Sequence, residues 1–140
     1  MSNVGDGNHV PVEDVMAVAE FRAALRRFLR RSERIARQSG LTPQRHLLLM
    51  MIKGAPSGEG QSTVTELSQR LQLAQSTVTE LVRRAEEAGL LEREQSQRDA
   101  RVAHLRLTAE GERRLQLSFT ALATEREQLR EAFEQLGDSL

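Results

Sequence analysis

The stretch RDARVAHLRLTAEG, from Arg98 to Gly111, decides the fold of this chain of 140 residues. It joins a charged turn to a strand and then to the start of a helix. One face of the strand is apolar and consists of Ala103, Leu105 and Leu107, which is the two-residue period of a half-buried strand. Thr108 then supplies a hydroxyl that can cap the next helix. The stretch predicts the tip and return strand of a small β-hairpin.

The tip of this hairpin holds Arg98, Asp99 and Arg101 and no apolar residue that needs burial. Such a tip is free to touch a negatively charged surface outside the protein. The alternative is that the tip is simply a solvated, charged turn.

The residues before the hairpin predict two short helices and its outgoing strand, Leu90 to Glu94. Thr63 and Glu66 have the spacing of a capping box at the first helix. The segment Gln72 to Ala74 is a tight connection, and the second helix runs from Gln75 to Ala88. Two short helices joined by a three-residue turn form a helix-turn-helix, in which the second helix enters the major groove of DNA.

The outer face of that second helix is hydrophilic and comprises Gln75, Ser76, Thr79, Glu80, Arg83 and Arg84. Short hydroxyl and amide groups suit phosphates and base edges. Since Ser and Thr also cap helices, we expect one residue of the Gln75 to Thr79 group to cap the helix. Glu80 can accept from a cytosine amino group or pair with Arg84 one turn later, and we favour the pair.

At this point the chain resembles the MarR family of winged helix-turn-helix transcriptional regulators over Leu41 to Gly111. The resemblance is carried by LTPQRHLLLMMI, by STVTELVRRAEEAGLLER and by DARVAHLRLTAEG. It implies a mainly α fold with a small β-hairpin wing and with N- and C-terminal dimerisation helices. It further implies a homodimer on double-stranded, pseudo-palindromic operator DNA, a repressor role, and release by a small anionic or aromatic effector.

The resemblance also assigns roles at the wing and marks one departure. A wing arginine is expected in the minor groove, with Asp99 holding Arg101 in place. Glu80 stands where many family members carry a basic residue. The expected DNA-contact residues are Thr63, Gln75, Ser76, Thr77, Thr79, Arg83, Arg84, Arg98, Asp99 and Arg101.

Composition limits the other classes of function. The chain has no cysteine, which excludes disulfides and thiolate chemistry. Nucleophile elbows and metal-site spacing are absent from the sequence, and the three histidines are scattered, so we expect no enzyme, cofactor or metal. No apolar run approaches a membrane span and no signal peptide is recognisable. We therefore expect a cytoplasmic protein without a membrane partner.

The net charge is zero, and its distribution is more informative than its total. Residues 54 to 107 carry seven basic and eight acidic side chains, so this lobe is not globally basic. DNA affinity then depends on a local stripe of arginines and on its doubling in a dimer. We expect modest affinity with a clear salt dependence, and an unusually large share of it at the wing tip.

Apolar residues recur at three- and four-residue spacing after Thr108, which predicts a long helix with a seam for a helical partner. The N-terminal helix, expected between Pro11 and Gly40, has a comparable stripe. The expected dimer contacts are Val15, Val18, Phe21, Leu25, Phe28, Leu115, Phe119, Leu122, Leu129, Phe133 and Leu136. The alternative is that the two terminal helices pack within one chain.

The sequence thus divides into a disordered segment 1–10, a dimerisation region 11–40 with 108–140, and a DNA-binding lobe 41–107. Within the lobe, the helix from Thr42 to Lys53 is apolar all round at Leu47 to Ile52, so we expect it to be central and buried. The segment Ala55 to Ser62 is expected to be a flexible loop.

An arginine run in the first helix includes Arg30, Arg31 and Arg34. Three explanations of the run are open. It is neutralised by glutamates of the C-terminal helix such as Glu125, it binds an anionic effector, or it contacts DNA phosphates. The effector candidates are Arg30, Arg34, Arg45 and His46. The remaining alternative for the whole chain is a winged-helix protein-interaction module that does not read DNA, which the neutral lobe and Glu80 would favour.

Overall fold

The computed structural model describes residues 9–137, which form a mainly helical fold with a small antiparallel sheet, as predicted. Its elements in chain order are α1 (Val12–Gln38), α2 (Pro43–Lys53), β1 (Gln61–Ser62), α3 (Val64–Leu71), α4 (Gln75–Glu87), β2 (Leu91–Gln95), β3 (Ala103–Leu107), α5 (Ala109–Ala121) and α6 (Ala123–Leu136). The expected disorder of residues 1–10 falls mostly on residues 1–8, outside the described part of the chain.

The first two helices begin and end where local signals place them. α1 carries Glu13 and Asp14 in its first turn, where the helix dipole favours acids. Thr42 caps α2, since its hydroxyl oxygen accepts from the backbone N–H of Arg45 at 3.2 Å. Gly54 follows the last turn of α2 and its N–H donates to the carbonyl of Met50 at 2.8 Å, while Ala55 N–H donates to the carbonyl of Ile52 at 3.2 Å.

α2 supplies the centre of the hydrophobic core, with Leu48, Leu49 and Ile52 fully buried. The expectation that this helix is buried all round is wrong at Leu47, whose exposed fraction is 43%. The core around it joins α2 to the reading helices and to the sheet. Its other fully buried members include Leu67, Val78, Val82, Ala85, Leu90 and Leu105.

The sheet has three strands in the order β1-β3-β2, all antiparallel. β2 and β3 form the predicted hairpin, with Arg93 opposite Leu105. β1 was not predicted, because Ala55 to Ser62 was interpreted as a loop throughout. Its two residues pair with β3 in the register Gln61 to Arg106, so the return strand of the hairpin is the central strand of the sheet.

The prediction of one long helix after Thr108 is wrong. α5 ends at Ala121 and α6 begins at Ala123, and Leu122 between them has φ −97° and ψ 9°. Neither proline nor glycine lies at this break. The Leu122 side chain is only 2% exposed, so burial of this side chain accompanies the interruption.

The described chain divides into two compact units. The larger unit comprises residues 33–121 and contains the sheet, α2 to α5 and the core. The smaller unit comprises residues up to 32 and from 122 onward, and in it the rings of Phe21 and Phe133 meet edge to face at 5.9 Å. The larger unit thus includes more than the expected lobe 41–107.

No helix within residues 9–137 is long and apolar enough to cross a membrane. The same residues contain no cluster of three histidine, aspartate or glutamate side chains with the geometry of a metal site.

Candidate nucleic-acid interface

The turn between α3 and α4 is built from local hydrogen bonds. At the start of α3 the predicted capping box is complete: Glu66 N–H donates to Thr63 Oγ1 at 3.2 Å, and Thr63 N–H donates to Glu66 Oε2 at 3.3 Å. At its end Gln72 adopts a left-handed conformation with φ 57°. The Ser68 hydroxyl then holds the turn by donating to the carbonyl of Leu73 at 2.9 Å. Thr63 is therefore used by its own helix as a cap.

α4 buries one face and exposes the other. Val78, Val82 and Ala85 are fully buried in the core, which fixes the rotation of the helix. The opposite side chains are consequently turned outward. The exposed residues are Gln75, Ser76, Thr77, Thr79, Arg83 and Arg84.

The expectation that a polar residue caps α4 is wrong. The residue at the cap position is Ala74, which has no side-chain hydrogen bond. The Gln75 amide instead donates to Thr65 Oγ1 at 3.4 Å, across the turn. The hydroxyls of Ser76, Thr77 and Thr79 make no hydrogen bond with any residue in the described range. All three are therefore available for an outside acceptor or donor.

The charged part of the α4 outer face is internally paired. Glu80 Oε1 accepts from Arg83 Nη2 at 2.6 Å and from Arg84 Nε at 3.0 Å, which confirms the favoured pair with Arg84. Glu80 Oε2 accepts from Arg83 Nε at 2.9 Å, and Arg83 Nη1 also donates to Glu87. Hydrogen bonds from Arg83 and Arg84 lower the pKa of Glu80 to about 2. The carboxylate is therefore charged at any physiological pH.

The wing tip, residues 96–101, is ordered by two short side chains. The Ser96 hydroxyl accepts from the N–H groups of Arg98 and Asp99 at 3.2 and 3.4 Å. Asp99 Oδ1 accepts from Arg101 N–H at 3.0 Å and from Arg101 Nε at 3.1 Å. These bonds lower the pKa of Asp99. As expected, Asp99 holds Arg101, whose side chain is 91% exposed.

Arg98 stands out among the basic side chains of residues 54–107. Each of the other arginines there bonds a carboxylate, an amide or a carbonyl, namely Arg70, Arg83, Arg84, Arg93, Arg101 and Arg106. The Arg98 guanidinium has no such partner within the described residues. It is exposed at the wing tip, so among the arginines of residues 54–107 it is the one that a phosphate can take without competition.

The wing is fastened to the core at its base. Leu105 and Leu107 are buried, whereas Ala103 is only half-buried. Thr108 donates through its hydroxyl to the carbonyl of Gly89 at 2.6 Å and accepts from Gly111 N–H at 3.1 Å. The predicted cap is thus present and also ties α5 to the end of α4.

Gly111 is required by a close approach that sequence reasoning did not identify. A Cβ at this position would lie 2.3 Å from the carbonyl oxygen of Leu90. In the sequence, the only sign of this contact is the ending LTAEG of the stretch DARVAHLRLTAEG, which carries the family resemblance. The approach explains why a glycine stands inside α5, where its helix propensity is poor.

The predicted dimer residues differ in how far their side chains are exposed to solvent. In the larger unit Leu115 belongs to the core while Phe119 is half exposed. In the smaller unit Val15 and Phe133 are exposed, and Val18, Phe21, Leu25, Phe28 and Leu129 are partly covered. Leu122 and Leu136 are buried within the chain, so little of their surface remains for a partner.

Two clefts open on the larger unit, and neither is lined by the predicted effector residues. A cleft of about 350 Å³ is formed by Met50, Lys53, Gly54, Glu112, Leu115, Gln116 and Phe119, and one of about 480 Å³ is formed beside β1 and α3. Neither contains Arg34, Arg45 or His46. His46 is 3% exposed, and its Nε2 atom has no hydrogen-bond partner. Burial lowers the pKa of His46.

The arginine run of α1 is neutralised in part by α6. Arg31 Nε donates to Glu125 Oε1 at 3.2 Å within the smaller unit. Glu127 of α6 pairs instead with Arg130 of its own helix. Arg30 and Arg34 make no ion pair with any residue in 9–137.

Comparison with known proteins identifies the family that the chain resembles. Residues 39–102 match the model of the MarR family. No curated protein matches the chain. The predicted resemblance to MarR-family winged-helix regulators is thereby confirmed.

Solved structures agree with this match. A MarR family transcription regulator is 23% identical with a TM-score of 0.68, over 84% of this chain and 75% of that one. A transcriptional regulator from Thermotoga maritima is 28% identical with a TM-score of 0.61, over 84% and 78% of the two chains. FabT from Streptococcus pneumoniae, solved in complex with DNA, is 26% identical with a TM-score of 0.58, over 65% and 61%.

Proposed function

We propose that this chain, which carries a MarR-family winged helix over residues 39–102, is a DNA-binding transcriptional regulator and not an enzyme. The observation that carries the proposal is an exposed helix face of unpaired hydroxyls in the same compact unit as a wing tip with an unpaired arginine. A related protein, FabT, was solved with DNA bound. The regulator would work in the cytoplasm, where it meets DNA.

The proposed binding mode follows the dimensions of B-DNA. A major groove about 12 Å wide admits one α-helix, and α4 would enter it with Ser76, Thr77 and Thr79 toward base edges and phosphates. The wing tip would reach the adjacent minor groove, where narrow A·T-rich segments attract guanidinium groups. Arg98 and Arg101 would make this contact, with Asp99 orienting Arg101.

We propose that the regulator acts as a homodimer on a pseudo-palindromic operator. Support comes from the apolar side chains that the smaller unit leaves exposed, which are Val10, Val12, Val15, Met16, Leu29 and Phe133. Exposed apolar patches of this kind mark interaction sites. A dimer would also double the phosphate contact of Arg98, which a neutral lobe needs to hold DNA. Occupying a promoter in this way would make the protein a repressor.

The last part of the proposal is release from DNA by a small anionic effector. It rests on Arg34 and Arg45, which make no ion pair with any residue of the described range. Benzoate is a suitable probe, because it joins a carboxylate to one apolar ring. Titration calorimetry should show binding that the Arg34→Ala and Arg45→Ala double variant loses, while Arg113→Ala retains it.

The DNA-binding proposal is tested with the DNA that flanks the protein's own gene. In a gel shift with this intergenic duplex, the wild-type chain should bind, and the Arg98→Ala and Arg101→Ala double variant should lose binding at physiological salt. Arg113→Ala with Arg130→Ala is the matched control, since both replaced arginines are exposed and carboxylate-paired on α5 and α6. Unchanged binding of the wing variant would exclude the wing contact.

A protein-interaction module is the second candidate. It is favoured by the pairing of Arg83, Arg84 and Arg101 with carboxylates, which leaves little net charge for phosphates. Electrostatic DNA binding strengthens steeply as salt is lowered. A wild-type chain that binds neither the intergenic duplex nor mixed-sequence DNA at about 50 mM salt would therefore establish this alternative.

A further inference from the structure

Glu80 occupies the middle of the face that α4 would present to DNA, and it takes up both arginines of that face. Its carboxylate holds Arg83 through two bonds of 2.6 and 2.9 Å and Arg84 through one of 3.0 Å. Arg83 is further bound to Glu87. The two cations and two anions cancel, so the charged part of this face is neutral.

A neutral face has a direct consequence for phosphates. Arginine gains affinity for any DNA sequence by neutralising phosphates and releasing counterions. Arg84 can do so only by leaving Glu80, its one ion-pair partner among the described residues, and the freed carboxylate then repels the same phosphates. Exposed ion pairs are weak because water and salt screen them, so Glu80 competes with DNA reversibly and does not lock the arginines.

The carboxylate keeps one hydrogen-bonding position for a base. Oε1 already accepts two hydrogen bonds, whereas Oε2 accepts only the one from Arg83 Nε. A carboxylate oxygen can accept two. The spare position on Oε2 fits the amino group of a cytosine in the major groove, the base donor that glutamate selects.

We infer that Glu80 is a specificity-determining residue of the DNA-binding surface. Its carboxylate withholds Arg83 and Arg84 from the phosphates of non-operator DNA. Where a cytosine amino group faces it, a hydrogen bond from that group offsets the lost phosphate affinity. The inference rests on the proposed function. Specificity of this kind needs a repulsive element as well as an attractive one, and Glu80 supplies both.

The chain contains a matched control in α5. Glu110 repeats the E-x-x-R-R spacing of Glu80 and bonds Arg113 and Arg114 at 2.6 and 2.7 Å. Its pKa is likewise lowered to about 2 by hydrogen bonds from these arginines. Glu110→Gln therefore removes the same charge from the same local arrangement, outside the helix that would read DNA.

The test measures binding by fluorescence anisotropy to two duplexes, one of mixed sequence and one enriched by the wild-type protein from a random library. Glu80→Gln should bind the mixed duplex about tenfold more tightly, with a salt dependence steeper by about one unit per chain because Arg84 is released. Its preference for the enriched duplex should fall. Glu110→Gln should leave both affinities within about twofold of wild type.

A second variant isolates the cause. Adding Arg84→Ala to Glu80→Gln should abolish most of the increase in affinity for the mixed duplex. The reason is that this increase depends on the coupling between Glu80 and Arg84. Equal behaviour of Glu80→Gln and Glu110→Gln, or an equal gain on both duplexes, would overturn the inference while the DNA-binding function stands. A wild-type protein that binds neither duplex at low salt would overturn both.

Discussion

At the scale of single residues, the reading lobe is shaped by which arginines already have a partner. Six arginines between residues 54 and 107 are held by the protein itself, and Arg98 has no partner within the described residues. An arginine that is already paired must exchange one partner for another to bind a phosphate, and gains little. Arg98 gains the full contact, so it should contribute more DNA affinity than its neighbours.

Replacing Arg98 with alanine tests this difference. Arg98→Ala should weaken duplex binding about tenfold and reduce the slope of log affinity against log salt by about 0.9 per chain, one phosphate contact. Arg93→Ala is the control, since Arg93 lies in the same hairpin and is paired with Glu86. A salt titration in which both variants keep the wild-type slope would contradict the assignment.

His46 gives the larger unit a pH-dependent stability. Burial lowers its pKa below 6.5 in the folded chain, while the unfolded chain keeps a value near 6.5, so the unfolded state binds more protons in acid. The free energy of unfolding should therefore be fully present above about pH 6.5 and decrease as the pH falls, by at most about 1.4 kcal/mol per pH unit.

The measurement is urea unfolding at several pH values between about 7.5 and 5. His46→Leu should flatten the decrease, because leucine removes the buried titrating group and its unpartnered Nε2 atom. His104→Gln is the control, since this histidine is half-buried on the wing. If the His46→Leu variant loses stability in acid as steeply as wild type, another group is responsible.

At the scale of elements, the joint between the wing and α5 holds the hairpin in position. Thr108 bonds Gly89 and Gly111, and Thr108 N–H donates to the carbonyl of Leu90 at 3.0 Å. Gly111 packs against that same carbonyl. The end of α4, the base of β3 and the first turn of α5 therefore meet at one point of backbone contact.

Gly111→Ala should damage this joint. A Cβ would lie 2.3 Å from the Leu90 oxygen, which forces the backbone apart and should destabilise the protein by about 1–3 kcal/mol, although alanine is the better helix former. Thermal unfolding measures the loss. Gln116→Ala on the exposed side of α5 should change stability by less than about 0.5 kcal/mol, and an equally mild Gly111→Ala would show that the contact relaxes freely.

At the scale of the whole molecule, the proposed homodimer depends on the distribution of apolar surface. Most leucines and valines of the larger unit are buried in its core. The smaller unit leaves Val12, Val15 and Met16 exposed along α1 and Phe133 half exposed on α6. Covering such surface contributes about 25 cal/mol per Å², so a second copy of the chain is the expected occupant.

Sedimentation equilibrium should give twice the 15.7 kDa chain mass at micromolar concentration. Val15→Asp with Met16→Glu should shift the protein toward the monomer, because each introduces a charge into the proposed contact. Leu73→Asp, an exposed leucine at the α3 to α4 turn, should leave the mass unchanged. If the wild-type protein is a monomer, the exposed apolar side chains of α1 and α6 do not form a dimer contact.

Features that arise from neighbours a few residues apart could be predicted from the sequence alone. The Thr63 and Glu66 capping box, the Glu80 and Arg84 pair, the Asp99 and Arg101 pair and the alternation of β3 all depend on such spacing, and all are present. The resemblance to the MarR family rests on the same local patterns, since each motif lies within one element or one turn.

Features that depend on residues far apart in the chain became visible only in the folded structure. β1 exists because Gln61 pairs with Arg106, and two residues have no periodicity to detect. Gly111 is needed because Leu90 approaches it. The break at Leu122 and the bare cap at Ala74 likewise oppose local propensity. At Leu122 packing overrides local preference, because burying that side chain contributes more free energy than one helical hydrogen bond.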